Sequence, residues 1–343
     1  MDSMKAAVLV APGRFVIEAR PIPRPGPDEA LLRIQRCGIC GTDLHIFRGR
    51  YSSEHLPMVP GHEFTGTVAA LGSGPAAARL RIGQKAVVDT NIGCGSCYWC
   101  RRNEILNCPT MRQMGIHADG GFAEYLVVPA RLVIPAPDDV PDAVLALTEP
   151  LACVVRAARK ARISFGQSVV VLGAGPIGNL HVQLLRTIGA APIIVFDTAA
   201  GRAAQAVGAD HAVSDPAALH GVVMAATGGR GADVVIESVG SAALYRRAQT
   251  LVRNGGHIAA FGLTGPDEAL ELDILTTVLR ENSVKGSVAG MGENMHDALT
   301  LLMHGRIDTD LFTRAAFRLD DIQEAFDSFA DRPDDLKTQI VMD

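Results

Sequence analysis

Val169-Val170-Val171-Leu172-Gly173-Ala174-Gly175-Pro176-Ile177-Gly178 is the stretch that decides the fold. Four consecutive apolar residues, Val169 to Leu172, predict a strand buried on both faces, as in a parallel sheet covered by helices. A helix is expected after the glycine turn, running to about Ile188, with Gly189 as its stop. A second apolar strand, Ile193 to Phe196, ends at Asp197, 19 residues after Gly178. G-x-G-x-x-G alone is weak, and the plain alternative is a turn in some other α/β protein. Between a strand and a helix, with an acid closing the next strand, it reads as a dinucleotide site. Gly173 allows the tight turn, Gly175 lets the backbone approach a pyrophosphate, and Gly178 lets helix and sheet pack closely. Pro176 and Ile177 open a helix whose free N–H groups and dipole draw phosphate. A carboxylate at Asp197 can accept both adenosine ribose hydroxyls and repels a 2′-phosphate, so NAD is expected over NADP. Arg202 either covers the adenosine end or is a solvated helix charge.

The same alternation continues downstream. Strands are expected at Val234 to Ile236, His257 to Phe261 and Ser283 to Val288, with helices at Arg202 to Val207 and Ala242 to Leu251. That pattern implies a doubly wound parallel sheet. Upstream the character differs. Short strands read at Lys5 to Val10, Phe15 to Ala19, Glu29 to Gln35, Glu63 to Leu71, Lys85 to Asp89, Phe122 to Val128 and Arg131 to Ile134. Pro21, Pro23, Pro25 and Pro27 forbid a helix between two of them. Asp138 to Ala146 and Leu151 to Ala161 read as helices, the second with Pro150 in its first turn. The tail holds helices at Met295 to Met303 and at Asp320 to Phe329, Asp320 as N-cap, and a closing strand from Lys337 to Met342.

Two clusters carry metal-binding chemistry. Cys37-Gly38-Ile39-Cys40-Gly41-Thr42-Asp43-Leu44-His45 and, after a loop, Pro60-Gly61-His62-Glu63 bring a thiolate, an imidazole and a carboxylate into neighbouring glycine-flanked segments. Thr42 and His45 lie just past the thiol, where a proton could leave an alcohol. Cys94, Cys97, Cys100 and Cys108 have the spacing C-x2-C-x2-C-x7-C. Four thiolates in a short lobe can close a tetrahedron around one Zn²⁺ with no open position, as a structural site requires. Four unrelated thiols or an iron–sulfur cluster are the alternatives.

The bulk properties exclude several classes. At 343 residues two domains are expected. With 32 basic and 37 acidic residues, the net charge of −5 gives no reason to expect nucleic acid or an anionic membrane. The most apolar region, Val169 to Phe196, is broken by Asn179, His181, Gln183 and Arg186, so it is no membrane span. Met1-Asp2-Ser3-Met4-Lys5 does not read as a signal peptide, and a cytoplasmic location is the default. Clustered cysteines in a reducing compartment point to metal before disulfide.

With these elements together, the sequence resembles the zinc-dependent medium-chain dehydrogenases/reductases over nearly its whole length. The match rests on Gly38 to His45, Gly61-His62-Glu63, the four-cysteine lobe, Glu149-Pro150-Leu151 and Gly173 to Gly178. The resemblance implies a GroES-like β-rich catalytic domain (residues 1–150 and 289–343) into which a Rossmann domain (residues 151–288) is inserted. It implies two zinc ions per chain, one catalytic and one structural, and NAD. Cys40 and His62 become zinc ligands, with Glu63 or Glu149 as third donor and the other exchanging with it; Cys153 is an outside candidate. Thr42 and His45 become a proton relay from the substrate hydroxyl to solvent, while the alcohol carbon gives a hydride to nicotinamide. Otherwise Thr42 is a capping hydroxyl, His45 a surface histidine, and Cys37 and Cys153 buried thiols.

The glutamate-type donor set resembles sorbitol, threonine and sugar-acid dehydrogenases more than ethanol dehydrogenases, as does Gly115 to Phe122. A secondary polar alcohol (a polyol, sugar or sugar acid) giving a ketone is therefore expected. Sorbitol dehydrogenases carry a tyrosine and an arginine where this chain has Ile46 and Ala289, which argues against strict sorbitol specificity. L-threonine 3-dehydrogenase or a simple-alcohol enzyme is the rival within this chemistry, and a non-catalytic NAD-binding sensor the rival outside it. A homodimer or homotetramer is expected by analogy.

Overall fold

The computed structural model describes residues 3–265, 268–329 and 335–342; Met1 and Asp2 of the amino-terminal segment lie outside them. The chain divides into two compact units, Met1–Ala152 with Met291–His304 and Thr309–Asp343, and Cys153–Gly290 with Gly305–Asp308.

The first unit is built on a seven-stranded sheet. Its order is Ala315–Arg318, Thr338–Val341, Glu29–Gly38, Glu63–Leu71, Lys85–Val88 and Val133–Pro135, with Tyr125–Pro129 also pairing with Glu29–Gly38. The register matters for the site. Gly38 pairs with Glu63 on one side and with Gln339 on the other, so the segments carrying Glu63 and Lys337 flank a residue without a side chain. After Gly38 the chain turns into the helix Gly41–Phe47. Leu44, Ile46 and Phe47 of that helix are buried, and Phe47 packs on Phe326 with ring centroids 5.1 Å apart. Thr42 and His45, three residues apart, share another face and are half-buried.

The second unit is a six-stranded parallel sheet, ordered His211–Val213, Ile193–Phe196, Val169–Leu172, Ala232–Glu237, Val252–Ala260 and Ser283–Gly286. Val169 to Leu172 is fully buried, as a strand covered on both faces must be. The strand order reverses beside it, and in such sheets the crevice beyond the carboxyl ends at that point receives ligands. The fold is thus a Rossmann-type α/β unit with a GroES-like β-rich unit. No described helix is long and apolar enough to cross a membrane.

Several expected boundaries move. The helix expected over 138–146 shrinks to Asp142–Leu145, because Pro141 caps it with an extended backbone (φ −61°, ψ 142°). Asp320 is not the N-cap of the last helix. It sits in the short turn Leu319–Asp321, its carboxylate 2.6 Å from Lys5 Nζ, and the helix starts at Ile322 with Asp321 as cap. The helix expected over 202–207 lies at Ala200–Ala204, and the strand expected from Phe122 begins at Tyr125. Several described elements have no counterpart in the sequence reading, among them Gly41–Phe47, His211–Val213, Pro216–Ala226, Ile274–Leu279 and Ala315–Arg318.

Candidate active site and cofactor loop

One donor atom each from Cys40, His62 and Glu63 lies within 4.8 Å of the other two. Ligands at about 2.0–2.3 Å from a Zn²⁺ have such mutual spacing after a small closure. Cys40 is the extended residue that starts the helix Gly41–Phe47, and its backbone N–H donates to Asp43 Oδ2 at 2.8 Å. His62 ends the loop before the strand Glu63–Leu71, which starts the carboxylate inside the sheet. Asp43 is itself buried, and its Oδ1 approaches His62 Nδ1 to 3.3 Å without the alignment of a hydrogen bond. A carboxylate on one ring nitrogen fixes an imidazole and leaves the other nitrogen for a metal. Burial alone would lower the pKa of His62, but the charges of Asp43 and Cys40 prevail and hold it well above the usual histidine value.

Glu63 is fully buried and ion-paired with the equally hidden ammonium of Lys337. Its Oε1 has no hydrogen-bond partner among the described residues. An orphaned buried carboxylate oxygen beside a thiol and an imidazole is what a cation site looks like before the cation is counted, so these residues fit a zinc ion. Gly38 makes the arrangement possible. A Cβ there would collide with Glu63 Oε2 and lie 2.8 Å from Lys337 Cε. Glu149, in the first turn of the helix Thr148–Ala161, is buried but outside the trio. Cys37 is a buried thiol whose pKa is raised well above normal by burial and then by Asp43 and Glu63. Cys153 is likewise buried outside the trio.

The four sulfurs of Cys94, Cys97, Cys100 and Cys108 also lie within 4.8 Å of one another. Backbone N–H groups point at three of them: Cys97 N to Cys94 Sγ at 3.3 Å, Cys100 N to Cys97 Sγ at 3.4 Å, and Cys94 N to Cys108 Sγ at 3.5 Å. Ser96 and Cys97 pull the Cys94 thiol down to about 6, while desolvation pushes Cys100 up to about 11. Four mutually close thiols, only some poised to ionise, fit a closed thiolate metal site.

In the second unit Gly173 has φ +101°, a conformation costly for any residue with a side chain. Gly178 packs its Cα against the Gly173 carbonyl, leaving no room for a Cβ, whereas Gly175 faces open space. Pro176 begins the helix Pro176–Ile188. Asp197 lies at the tip of Ile193–Phe196 and accepts from Ala174 N at 2.9 Å and Ala199 N at 2.8 Å. It therefore steadies the glycine turn as well as offering a carboxylate. Arg202 is on the short helix Ala200–Ala204.

Four residues of these sites escaped sequence reasoning: Asp43, Lys337, Asn179 and Glu237. Asn179 Nδ2 donates to the Ala174 carbonyl at 2.7 Å. Buried Glu237 accepts from Val239, Gly240 and Ser241 N–H groups, holding the turn that packs on Gly173. Asp43 had a signal, being an acid inside the first metal-binding segment. Lys337 had none, since nothing along the chain ties it to residue 63.

Comparison with known proteins agrees with this geometry. Residues 26–138 match the alcohol dehydrogenase GroES-like domain and residues 176–304 the zinc-binding dehydrogenase domain. An L-threonine 3-dehydrogenase of Mesorhizobium japonicum is 33% identical over 343 residues, covering 96% of each chain. The L-galactonate-5-dehydrogenase of Escherichia coli is 31% identical, covering 95% of each. A solved chain from Sinorhizobium meliloti 1021, bound to NADP, superimposes with a TM-score of 0.91 at 33% identity, covering 99% of this chain and 100% of that one. Near-complete matches at this identity leave one conclusion: the chain belongs to the zinc-dependent medium-chain dehydrogenases of the alcohol dehydrogenase superfamily, and is an enzyme that oxidises alcohols.

Proposed function

We propose that this enzyme oxidises a polar secondary alcohol, a polyol, sugar or sugar acid, to a ketone with NAD, using a zinc ion held by Cys40, His62 and Glu63. The gathering of those three donors carries the proposal. When bound, the metal supplies Lewis acidity toward the substrate hydroxyl, and the nicotinamide accepts the hydride. The chain supplies the rest. Asp43 orients the His62 ring. Glu63 is our choice between the two carboxylates, because its oxygen is the one that joins Cys40 and His62, while Glu149 exchanges with it. One thiolate and one carboxylate balance a divalent charge, and Lys337 offsets the anionic side further. The thiolates of Cys94, Cys97, Cys100 and Cys108 hold the second, structural zinc. Gly173, Gly175 and Gly178 receive the pyrophosphate with the helix start at Pro176 and Ile177. Asp197 accepts the adenosine ribose hydroxyls, favouring NAD although a relative binds NADP, and Arg202 covers the adenosine end.

Thr42 takes the proton released from the alcohol, and His45 passes it on. His45 has its pKa lowered by partial burial, then by Arg48 and Arg50. It is thus held toward the neutral, proton-accepting form, and protonates only below the ordinary histidine range. The acid limb of kcat/KM should accordingly lie below that range, with activity falling as pH drops through it. His45→Gln should cost roughly 10²-fold at neutral pH. A variant with the parent pH profile would remove His45 from the relay.

A substrate panel read by NADH absorbance, with zinc measured on the same sample, tests the whole reading. Fast turnover of polyols or sugar acids supports it. Preference for L-threonine, favoured by the Mesorhizobium relative, or for a small alcohol would replace the substrate class. No turnover with zinc and NAD both bound would mean an NAD-binding sensor.

The enzyme is further proposed to work as a homo-oligomer, a dimer or tetramer, in a reducing, cytoplasmic compartment that suits its free thiols. The helix Ile274–Leu279 exposes Ile274, Leu275, Val278 and Leu279 beside the edge strand Ser283–Gly286. An apolar patch beside an unpaired strand edge is a natural self-association surface. Leu275→Asp with Leu279→Asp should shift the light-scattering mass to the monomer; an unchanged mass would place the contact elsewhere.

A further inference from the structure

A second polar cavity, of about 670 Å³, opens in the Rossmann-type unit, lined by His220, Arg230, Thr250, Arg253, Asn254 and Arg280 among others. Next to it a cavity of about 430 Å³, sharing His220 and Thr250, is lined by Arg246 and Arg247. Among the described residues no carboxylate lines either cavity, although the chain as a whole has a net charge of −5. Two of the five arginines are engaged: Arg253 bonds Asp233 at 2.7 Å, and Arg247 donates to the Pro216 carbonyl. Arg230, Arg246 and Arg280 form no ion pair among the described residues, although the charge of Arg280 acts on exposed Asp273.

The placement is built rather than incidental. Arg230 stands in the turn Thr227 to Gly231, where Gly228, Gly229 and Gly231 have φ of +61°, +78° and +86°. Thr227 Oγ1 donates to the Val223 carbonyl and accepts from Gly231 N at 3.0 Å, so the turn is pinned. Arg253 is the second residue of Val252–Ala260, and Ala232 begins the strand after Arg230. The cavity thus lies at the amino ends of the parallel strands, whereas the Gly173 turn follows the carboxyl end of Val169–Leu172.

We propose that this cavity is a second ligand site, for a phosphorylated small molecule. Guanidinium forks match phosphate oxygens in pairs. A volume of about 670 Å³ suits a metabolite-sized ligand rather than a lone ion, and Thr250 and Asn254 add neutral hydrogen-bonding groups beside the cations. Because the site is at the other end of the strands from the glycine turn, its ligand and the dinucleotide bind together.

Calorimetry on the zinc-loaded full chain tests this, with inorganic phosphate, pyrophosphate and glucose 6-phosphate as probes at constant ionic strength set by KCl. Pyrophosphate and glucose 6-phosphate should bind with saturating NAD present. Arg230→Gln with Arg280→Gln should weaken them by at least about tenfold per arginine, leaving basal turnover unchanged. Arg246→Gln alone, on an exposed helix position, should weaken them by less and serves if the double variant is unstable. Heat no greater than that of KCl, displacement of the probes by NAD, or binding that survives the arginine substitutions would each overturn the proposal.

Discussion

Cys40→Ser is expected to remove one metal equivalent per chain and to lower kcat/KM by about 10³-fold or more, while the protein stays folded. The fold should survive because Cys40 is the N-cap of Gly41–Phe47, a position where serine is among the preferred residues. The hydroxyl keeps the cap but is a far poorer zinc donor than a thiolate. The loss in rate follows from the several kcal/mol that a Lewis acid contributes, each 1.36 kcal/mol being tenfold. Cys97→Ser is the matched control. It also alters an N-cap cysteine, of Tyr98–Arg101, but in the closed lobe, where metal loss should lower stability before it touches chemistry. Metal analysis and turnover on both variants separate the two sites. A Cys40→Ser enzyme with full metal content and parent activity would end the catalytic-zinc reading.

What could be read from residues alone was what depends on local order. Val169 to Gly178 carries its strand, turn and helix within ten neighbouring positions, and the structure forms all three. Cys94 to Cys108 is equally local, and its sulfurs meet. Cys40 and His62 are farther apart, but each sits in a recognisable glycine-flanked segment.

The failures share a cause. Pro216–Ala226 is apolar nearly all round, so it shows no helical stripe to read. His211–Val213 is too short to show a period. Asp320 looks like a cap, yet the sheet brings Lys5 beside it and the helix begins later. Above all, nothing along the chain shows that Glu63 enters the sheet opposite Gly38 and meets Cys40 and His62, or that Glu149 stands outside that trio. Strand register decides that, and register is set by pairing between distant segments.

Lys337 is the sharpest product of that register, and its removal should have the largest effect on stability. Only 5% of its side chain and 1% of that of Glu63 are exposed. Lys337→Met keeps the bulk and deletes the charge, leaving a carboxylate with almost no water. Breaking a buried pair by removing one partner costs about 3–5 kcal/mol, on the order of 10 °C in the melting temperature of a domain this size. The penalty should be larger in metal-free protein than in zinc-loaded protein, because a cation at Cys40, His62 and Glu63 takes over part of the ammonium's role. The same difference should appear as tighter zinc binding by the Lys337→Met chain, because a metal that binds only the folded state offsets more of the penalty only where it binds more tightly. Adding Glu63→Gln to Lys337→Met should recover much of the stability, as the pair then leaves no charge behind, but should weaken zinc binding by removing a donor. Thermal unfolding of the parent, both single variants and the double variant, with and without zinc, gives the coupling directly. Additive effects in metal-free protein, or a Lys337→Met chain as stable as the parent, would mean that the ion pair over Gly38 holds neither the fold nor the donor in place.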